Sequence, residues 1–394
     1  MSSPFEVKWG ILATGGIATT FAKDLLTNPS LREMSDIKHT IAAAASSSSA
    51  SRASTFLKDV GAPPSAKAYG SYAELVADPN VDIIYVATPH SHHFQNSMLA
   101  LQAGKHVLCE KALTVNAAQA KKLIATAKEK KLFFMEAVWT RYFPLSIQVR
   151  ELVTSGAIGK VHRVSADLSF GSAKDDGSLT FADEHRMVNV DLAGGALLDL
   201  GIYSLTWVFQ ILYHCQPVGQ REKPKVLADI QKYDKTGADE TTSMILSFPK
   251  AKSVGIATTS LRVATTPDGE GSPAAGPAAR IQGSKGEIQI MGPLYRPTHY
   301  RVIMQGGEKG AVNDVQCAIP FDKQKDFGHG MFWEADEAGR CLRDGKLESD
   351  GIGWEESLVI METMDEVRKQ GGLVYPELIE SSVYDEKSSL NTGK

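Results

Sequence analysis

Val7-Lys8-Trp9-Gly10-Ile11-Leu12-Ala13-Thr14-Gly15-Gly16-Ile17-Ala18 is the stretch whose reading decides the fold. Its spacing predicts a strand over Val7 to Ala13 that runs straight into a glycine-rich turn and then into a helix over Ile17 to Leu26. In that context the turn has a chemical meaning. A dinucleotide-binding strand–turn–helix reads G-x-G-x-x-G/A, and Ala13, Gly15 and Ala18 occupy its three positions, with Ala13 departing from the first glycine. Gly15 lets the backbone approach a pyrophosphate, Ala18 lets the helix pack close to the strand, and the helix start offers N–H groups and partial positive charge. Ala13, Gly15, Gly16 and Ile17 are the first candidate cofactor residues.

Working outward, further strands are expected over Thr40 to Ala45, Val81 to Ala87, His106 to Cys109 and Leu132 to Met135. Helices are expected between them over Ser51 to Val60, Gln95 to Ala103 and Ala117 to Lys130. That alternation is the signature of an α/β fold with a doubly wound parallel sheet, a Rossmann domain spanning residues 1–140. The pattern changes near Arg141, where one helix to about Ser155 is followed by the alternating run Val161 to Phe170. A helical stretch from Gly195 to Tyr213 and strands at Val226 to Tyr233, Thr241 to Phe248, Ser253 to Ser260, Ala279 to Gln282, Glu287 to Met291 and Tyr300 to Met304 follow. Residues 141–394 are therefore expected to form an α+β domain with an open, mostly antiparallel sheet, closed by helices over Met331 to Arg343 and Trp354 to Gln370. Thr265 to Pro277 is expected to be a mobile loop, and the polar tail from Glu377 to trail over the surface.

Composition narrows the class of function. The 394 residues are 43 % hydrophobic and 22 % charged, which fits a globular chain and excludes a disordered one. A net charge of −4 lacks the basic excess of a nucleic-acid binder. Cys109, Cys215, Cys317 and Cys341 lie far apart with no C-x-x-C pair, so they are expected as reduced thiols. Glu6 and Lys8 interrupt the start before any signal-like apolar run, and no stretch approaches the ~18 to 20 uncharged apolar residues of a membrane span. No nucleic acid, no membrane and a cytoplasmic location are the expectations.

Ala45 is followed by Ser46-Ser47-Ser48-Ser49, where an NAD-selective site places a carboxylate on the ribose 2′-OH. Hydroxyls of Ser46, Ser47 and Ser48 with the Arg52 guanidinium suit a 2′-phosphate, which favours NADP, while the same serines also suit a loop and helix cap. The next strand ends in Ala87-Thr88-Pro89-His90-Ser91-His92-His93, at the carboxyl edge where open α/β sheets bind ligands. Thr88, Pro89, His90 and His93 are candidate cofactor residues, His93 by orienting the loop. No nearby carboxylate or cysteine completes a ligand set with the histidines, so no metal is expected.

Gly104-Lys105-His106-Val107-Leu108-Cys109-Glu110-Lys111-Ala112 closes a run from Val86 that resembles the glucose-fructose oxidoreductase, inositol dehydrogenase and MocA family of NAD(P)-dependent sugar oxidoreductases. Ala112 stands where that family has proline. A second signature matches Gly194-Gly195 through Asp199-Leu200-Gly201-Ile202-Tyr203, with Asp199 and Tyr203 four apart and so on one helix face. Tyrosine at 203, together with Glu136-Ala137-Val138-Trp139-Thr140-Arg141-Tyr142-Phe143-Pro144, is similar to the branch that holds dihydrodiol and D-xylose dehydrogenases. Ile281 to Glu287 and Arg340 to Leu347 extend the likeness along most of the chain.

The resemblance implies hydride transfer from the C1 hydroxyl of an aldopyranose, D-xylose giving xylonolactone, to NADP+. It implies Lys111 beside nicotinamide and substrate with Glu110 also a cofactor residue, Tyr203 as the base, and Asp199 orienting Lys111 or a sugar hydroxyl. A neighbouring ammonium favours the phenolate form that accepts the proton. Trp139, Arg141 and Arg186 are candidate substrate residues, with surface ion pairing as the other reading of the arginines. Tyr203 as a core tyrosine beside Trp207, Lys111 as a solvated lysine at a strand end, and Asp199 as the partner of an arginine stay open. So do two other functions, a trans-dihydrodiol dehydrogenase and a non-catalytic NADP-binding sensor. The family habit of burying the open sheet face against a second copy implies a homodimer.

Overall fold

The structure, a computed structural model, describes residues 3–269, 271–306 and 312–392. The chain divides into two compact units, one of Met1–Trp139, Ile319–Ser357 and Glu377–Lys394, the other of Thr140–Ala318 and Leu358–Pro376.

The first unit is built on six parallel strands, β1 (Phe5–Leu12), β2 (Ile37–Ala45), β3 (Lys67–Tyr69), β4 (Ile83–Val86), β5 (His106–Glu110) and β6 (Phe134–Ala137). Their order is β3-β2-β1-β4-β5-β6, the doubly wound arrangement whose reversal point lies between β1 and β4. Every residue of β4 is buried, as expected for a strand covered on both faces. Helices α1 (Gly16–Leu25), α2 (Ala50–Asp59), α3 (Tyr72–Ala77), α4 (His90–Gln102) and α5 (Ala117–Lys130) connect the strands. Phe21 of α1 stacks on Tyr85 of β4 with ring centroids 3.8 Å apart, which fastens α1 to the sheet beside the turn.

Two expectations about the C-terminal half change here. The segments 319–357 and 377–394 complete the first unit, although the sequence pattern places them with the second domain. The cause is a set of buried polar groups that need them. Asp24 on α1 accepts the N–H groups of His329 (2.8 Å) and Met331 (2.6 Å), at the start of helix Phe332–Arg343. Asp336 of that helix takes a bidentate pair from Arg32, at 2.8 and 3.1 Å. Trp9 Nε1–H donates to His39 Nδ1 (3.0 Å), so His39 carries its proton on Nε2 and donates it to Asp336 (2.9 Å). Over its described residues, 377–392, the tail does not trail: the amides of Gln95, Asn96 and Gln119 donate to the carbonyls of Val383 (2.8 Å), Leu390 (2.9 Å) and Ile379 (2.7 Å), and Ile379 and Leu390 are buried.

The second unit carries α6 (Pro144–Thr154) and the strands β7 (Val161–Asp167), β8 (Lys225–Lys232), β9 (Asp239–Phe248), β10 (Ser253–Ser260), β11 (Pro277–Gly283), β12 (Gly286–Met291), β13 (His299–Met304) and β14 (Val312–Gln316). They form one sheet in the order β14-β13-β12-β11-β7-β10-β9-β8, antiparallel except where β7 pairs with β10. One face is covered by the helical run Leu197–His214, α-helical as α7 (Ile202–Phe209) with a π-helical turn at each end, Leu197–Gly201 and Gln210–His214. Packing is close enough that a Cβ on Gly255 of β10 would lie 2.3 Å from Val208 of α7. On the other face Leu227 and Ile245 are 67 % and 48 % exposed.

Contrary to the sequence expectation, one stretch, Val190–His214, does have the length and apolar composition to cross a membrane. Its most apolar window is 94 % buried inside the protein, the property of a core helix. In the loop Thr265 to Pro277, expected to be mobile, position 270 lies outside the described residues and the residues around it carry hydrogen bonds. Thr265 N–H donates to Ser169 O (3.1 Å), Ser169 N–H returns a bond to Thr265 Oγ1 (2.7 Å), and Asp268 accepts from Gly271 and Ser272 N–H.

Candidate active site

In the first unit the turn after β1 has the form that its sequence implies. Ala13 has φ +86°, the left-handed region that favours glycine, so the departure from the first glycine leaves the glycine conformation in place under strain. Ala13→Gly is therefore expected to stabilise the chain by about 1 kcal/mol, read as a higher urea midpoint; an unchanged midpoint would mean the backbone is unstrained there. A Cβ added to Gly15 or Gly16 would meet no atom within 4 Å, so both glycines face an open cradle at the start of α1. No acidic residue occupies the first turn of α1 to repel a phosphate, and Ile17 is exposed at its rim. These features fit a pyrophosphate.

At the end of β2 the serines divide their work. Ser49 caps α2 by accepting Arg52 N–H (3.3 Å), and Ser46 Oγ is buried, 2.9 Å from Ser48 Oγ. Ser48 and the Arg52 side chain are exposed. Tyr72 of α3, which the sequence reading missed, belongs to the same corner. Burial raises its phenol pKa, while a hydrogen bond with Ser47 and the charge of Arg52 oppose the rise. The exposed Ser48 and the Arg52 guanidinium fit a 2′-phosphate, while Ser46 is buried behind them, accepting the Ser48 N–H at 3.3 Å.

Helix α4 starts at His90, five residues before the expected Gln95, so the histidines stand in its first turns and not in a loop. Pro89 is its N-cap, and Thr88 Oγ1 is buried without a hydrogen-bond partner among the described residues. His93 is buried with Nδ1 2.9 Å from Ala112 O and Nε2 2.9 Å from Thr88 O, which ties the end of β4 to the segment after β5. Burial, only partly offset by these carbonyls, pulls its pKa down to about 4, so the neutral ring donates to one of them at a time. His90 packs edge-on against His93, with centroids 5.5 Å apart, and is buried. Among the described residues no group of three or more His, Cys, Asp or Glu could hold a metal ion.

Glu110 and Lys111 end β5 at the carboxyl edge of the sheet. Glu110 is turned inward: its carboxylate accepts the Tyr85 O–H and, at 3.2 Å, the N–H of Lys111 itself. It supports the lysine from below, because those two donors draw it into the core. Lys111 is half-buried, and the Lys111–Ala112 peptide is cis. Trp139 is buried and stacks on His329, with centroids 4.9 Å apart.

In the second unit Tyr203 lies on α7, 5 % exposed, with its ring centroid 6.0 Å from that of Tyr295. Asp199 falls in the π turn before α7, so the expected four-residue stacking with Tyr203 on a regular helix face is loosened. Its carboxylate pairs with Arg186 at 3.2 Å, which joins two of the predicted residues and realises the arginine-partner reading of Asp199. Arg141 is fully buried, which removes the surface ion-pair reading, and its carbonyl accepts from Arg150 Nη1 at 3.0 Å.

Residues 7–138 match an oxidoreductase family with an NAD-binding Rossmann fold, and residues 146–289 match the GFO/IDH/MocA C-terminal domain. The chain is 62 % identical to the D-xylose 1-dehydrogenase (NADP(+)) of Hypocrea jecorina, covering 99 % of this chain and 98 % of that protein. It is 33 % identical to the human trans-1,2-dihydrobenzene-1,2-diol dehydrogenase over 94 % of this chain and 98 % of that one. A crystal structure of aldose-aldose oxidoreductase from Caulobacter crescentus, 24 % identical, shares the fold with a TM-score of 0.71 over 93 % of this chain and 98 % of that chain. With both domain signatures present and a 62 % identical relative along nearly its whole length, the chain belongs to the GFO/IDH/MocA family of oxidoreductases.

Proposed function

We propose that the chain is an NADP-dependent D-xylose 1-dehydrogenase that oxidises the C1 hydroxyl of the pyranose to the lactone. The observation that carries this reading is 62 % identity across 99 % of the chain to a fungal enzyme of that name. Gly15, Gly16, Ser48, Arg52 and the end of β4 would hold the cofactor, which when bound supplies the hydride acceptor for the C1 hydrogen. Tyr203 takes the hydroxyl proton as the C1–O bond becomes a carbonyl, so the hydride and the proton leave the same alcohol by separate routes. Lys111 places positive charge where alkoxide develops. Asp199 and Arg186, held as a pair, orient sugar hydroxyls. Absorbance of NADPH with NADP+ and D-xylose tests the reading, beside D-glucose and a trans-dihydrodiol. Turnover with the diol alone moves the substrate to aromatic diols, and none with any of the three favours the non-catalytic sensor.

Arg52 should decide cofactor choice. Arg52→Ala is expected to raise KM for NADP+ about 10- to 100-fold, the worth of a charge-assisted contact, with KM for NAD+ unchanged. An equal change for both cofactors would place the guanidinium away from the 2′-phosphate.

A homodimer is part of the same proposal. The sheet face that bears Leu227 and Ile245 has its apolar groups in water, and a second copy of this chain laid on it would remove them. Light scattering should give twice the chain mass of 42.6 kDa. Four cysteines with no disulfide among the described residues fit a reducing compartment, and we place the chain in the cytoplasm on that ground.

A further inference from the structure

The helical run that carries Asp199 and Tyr203 begins against a residue from a different element. Asp239, the first residue of β9, is fully buried, and its Oδ2 accepts the Leu197 N–H at 2.6 Å and the Thr242 O–H at 3.2 Å. Its Oδ1 has no hydrogen-bond partner among the described residues. The chain makes room for this carboxyl at one place: Gly195 has φ +131°, and a Cβ there would lie 1.9 Å from Asp239 Oδ1 and 2.8 Å from Cγ. Burial pushes the carboxyl up to about 6, although the Leu197 and Thr242 bonds, its own N–H and the charge of Arg368 all act to lower it.

An ordinary helix cap is the residue next to the first turn, is exposed, and does its work with a Ser, Thr or Asn at little cost. Here the cap comes from 42 residues further along the chain, in a sheet strand, and is a carboxyl that burial disfavours. What a strand-borne cap adds is register: it fixes the first turn of the helix to the sheet and not merely to its own preceding loop. The turn it fixes is the π turn Leu197–Gly201, which contains Asp199 and leads directly into the turn with Tyr203. We propose that Asp239 is a positioning residue for the reaction, holding the start of this helix against β9 so that Asp199 and Tyr203 stand where the substrate needs them. The proposal rests on the reading of Tyr203 as the base. It also gives Gly195 a reason, since any side chain there would displace the carboxyl.

The test compares Asp239→Ala with Asp239→Asn in the full chain. The alanine removes the acceptor for Leu197 N–H; the asparagine keeps an oxygen there. Asp239→Ala is expected to lower kcat about 100-fold, the cost of misplacing reacting groups by about 1 Å, with KM for NADP+ within about twofold. Asp239→Asn should recover most of the loss. Where Asp239→Ala does not fold, Thr242→Val removes the second donor to the same oxygen and should lower kcat about threefold. Full kcat in folded Asp239→Ala, or equal loss in the Ala and Asn variants, would overturn the proposal. So would full kcat in Thr242→Val where that variant carries the test. Amide hydrogen exchange separates this from a failure of the activity itself. If the unmodified chain turns over no sugar or diol, faster exchange at Leu197–Tyr203 with none at Gln210–His214 still supports the clamp, and unchanged exchange at both ends contradicts it.

Discussion

Tyr203→Phe is expected to lower kcat by about 10³-fold while NADPH binding, followed by fluorescence, stays as it was. The substitution removes one oxygen and keeps the ring, so the packing of α7 and the neighbouring Tyr295 ring is undisturbed. Loss of a positioned proton acceptor costs 10²- to 10⁴-fold in general, which no packing effect of one buried hydroxyl matches. The alternative, a core tyrosine among the apolar residues of α7, predicts a small loss of stability and full turnover. The thermal midpoint and kcat of one variant therefore separate the two readings.

The second large effect is at Lys111. Lys111→Ala should lower kcat by about 10²- to 10³-fold, since it removes the positive charge at a developing alkoxide, and should change KM for NADP+ much less. Lys111→Arg should not restore it, because a planar guanidinium spreads its charge over three nitrogens and cannot put a compact charge at the same point. Single-turnover kinetics read the chemical step directly. The lysine is placed by its neighbours: Glu110 holds its N–H, and His93 ties the adjoining Ala112 carbonyl toward the end of β4. A loss confined to KM would make Lys111 a binding residue.

Much of the fold around the candidate site was legible because it lies where local patterns are strong. The strand β1, the glycine turn and α1 follow each other without interruption, and the motif positions of Gly15, Lys111, Asp199 and Tyr203 each sit at the edge of a periodic element. Short elements escaped: β3 has three residues and α3 six, too few for a period to register, and with α3 went Tyr72. The histidines hid the true start of α4, since Pro89 as cap reads equally well as a turn. Asp239 carries no local signal at all, because its role exists only once β9 meets the start of the helix 42 residues earlier. The return of the chain to the first unit is illegible for the same reason. Asp24, Arg32 and Gln119 look like surface residues until their partners at 329–336 and 379 are in place.

Formation of NADPH from NADP+ and D-xylose, measured for the unmodified chain beside Tyr203→Phe, tests the central claim most directly. The account predicts steady turnover of the pentose that is lost with the phenolic hydroxyl and is far weaker with NAD+. Equal rates in the two proteins would remove Tyr203 from the chemistry, and no turnover of the pentose by the unmodified chain would contradict the D-xylose dehydrogenase reading itself.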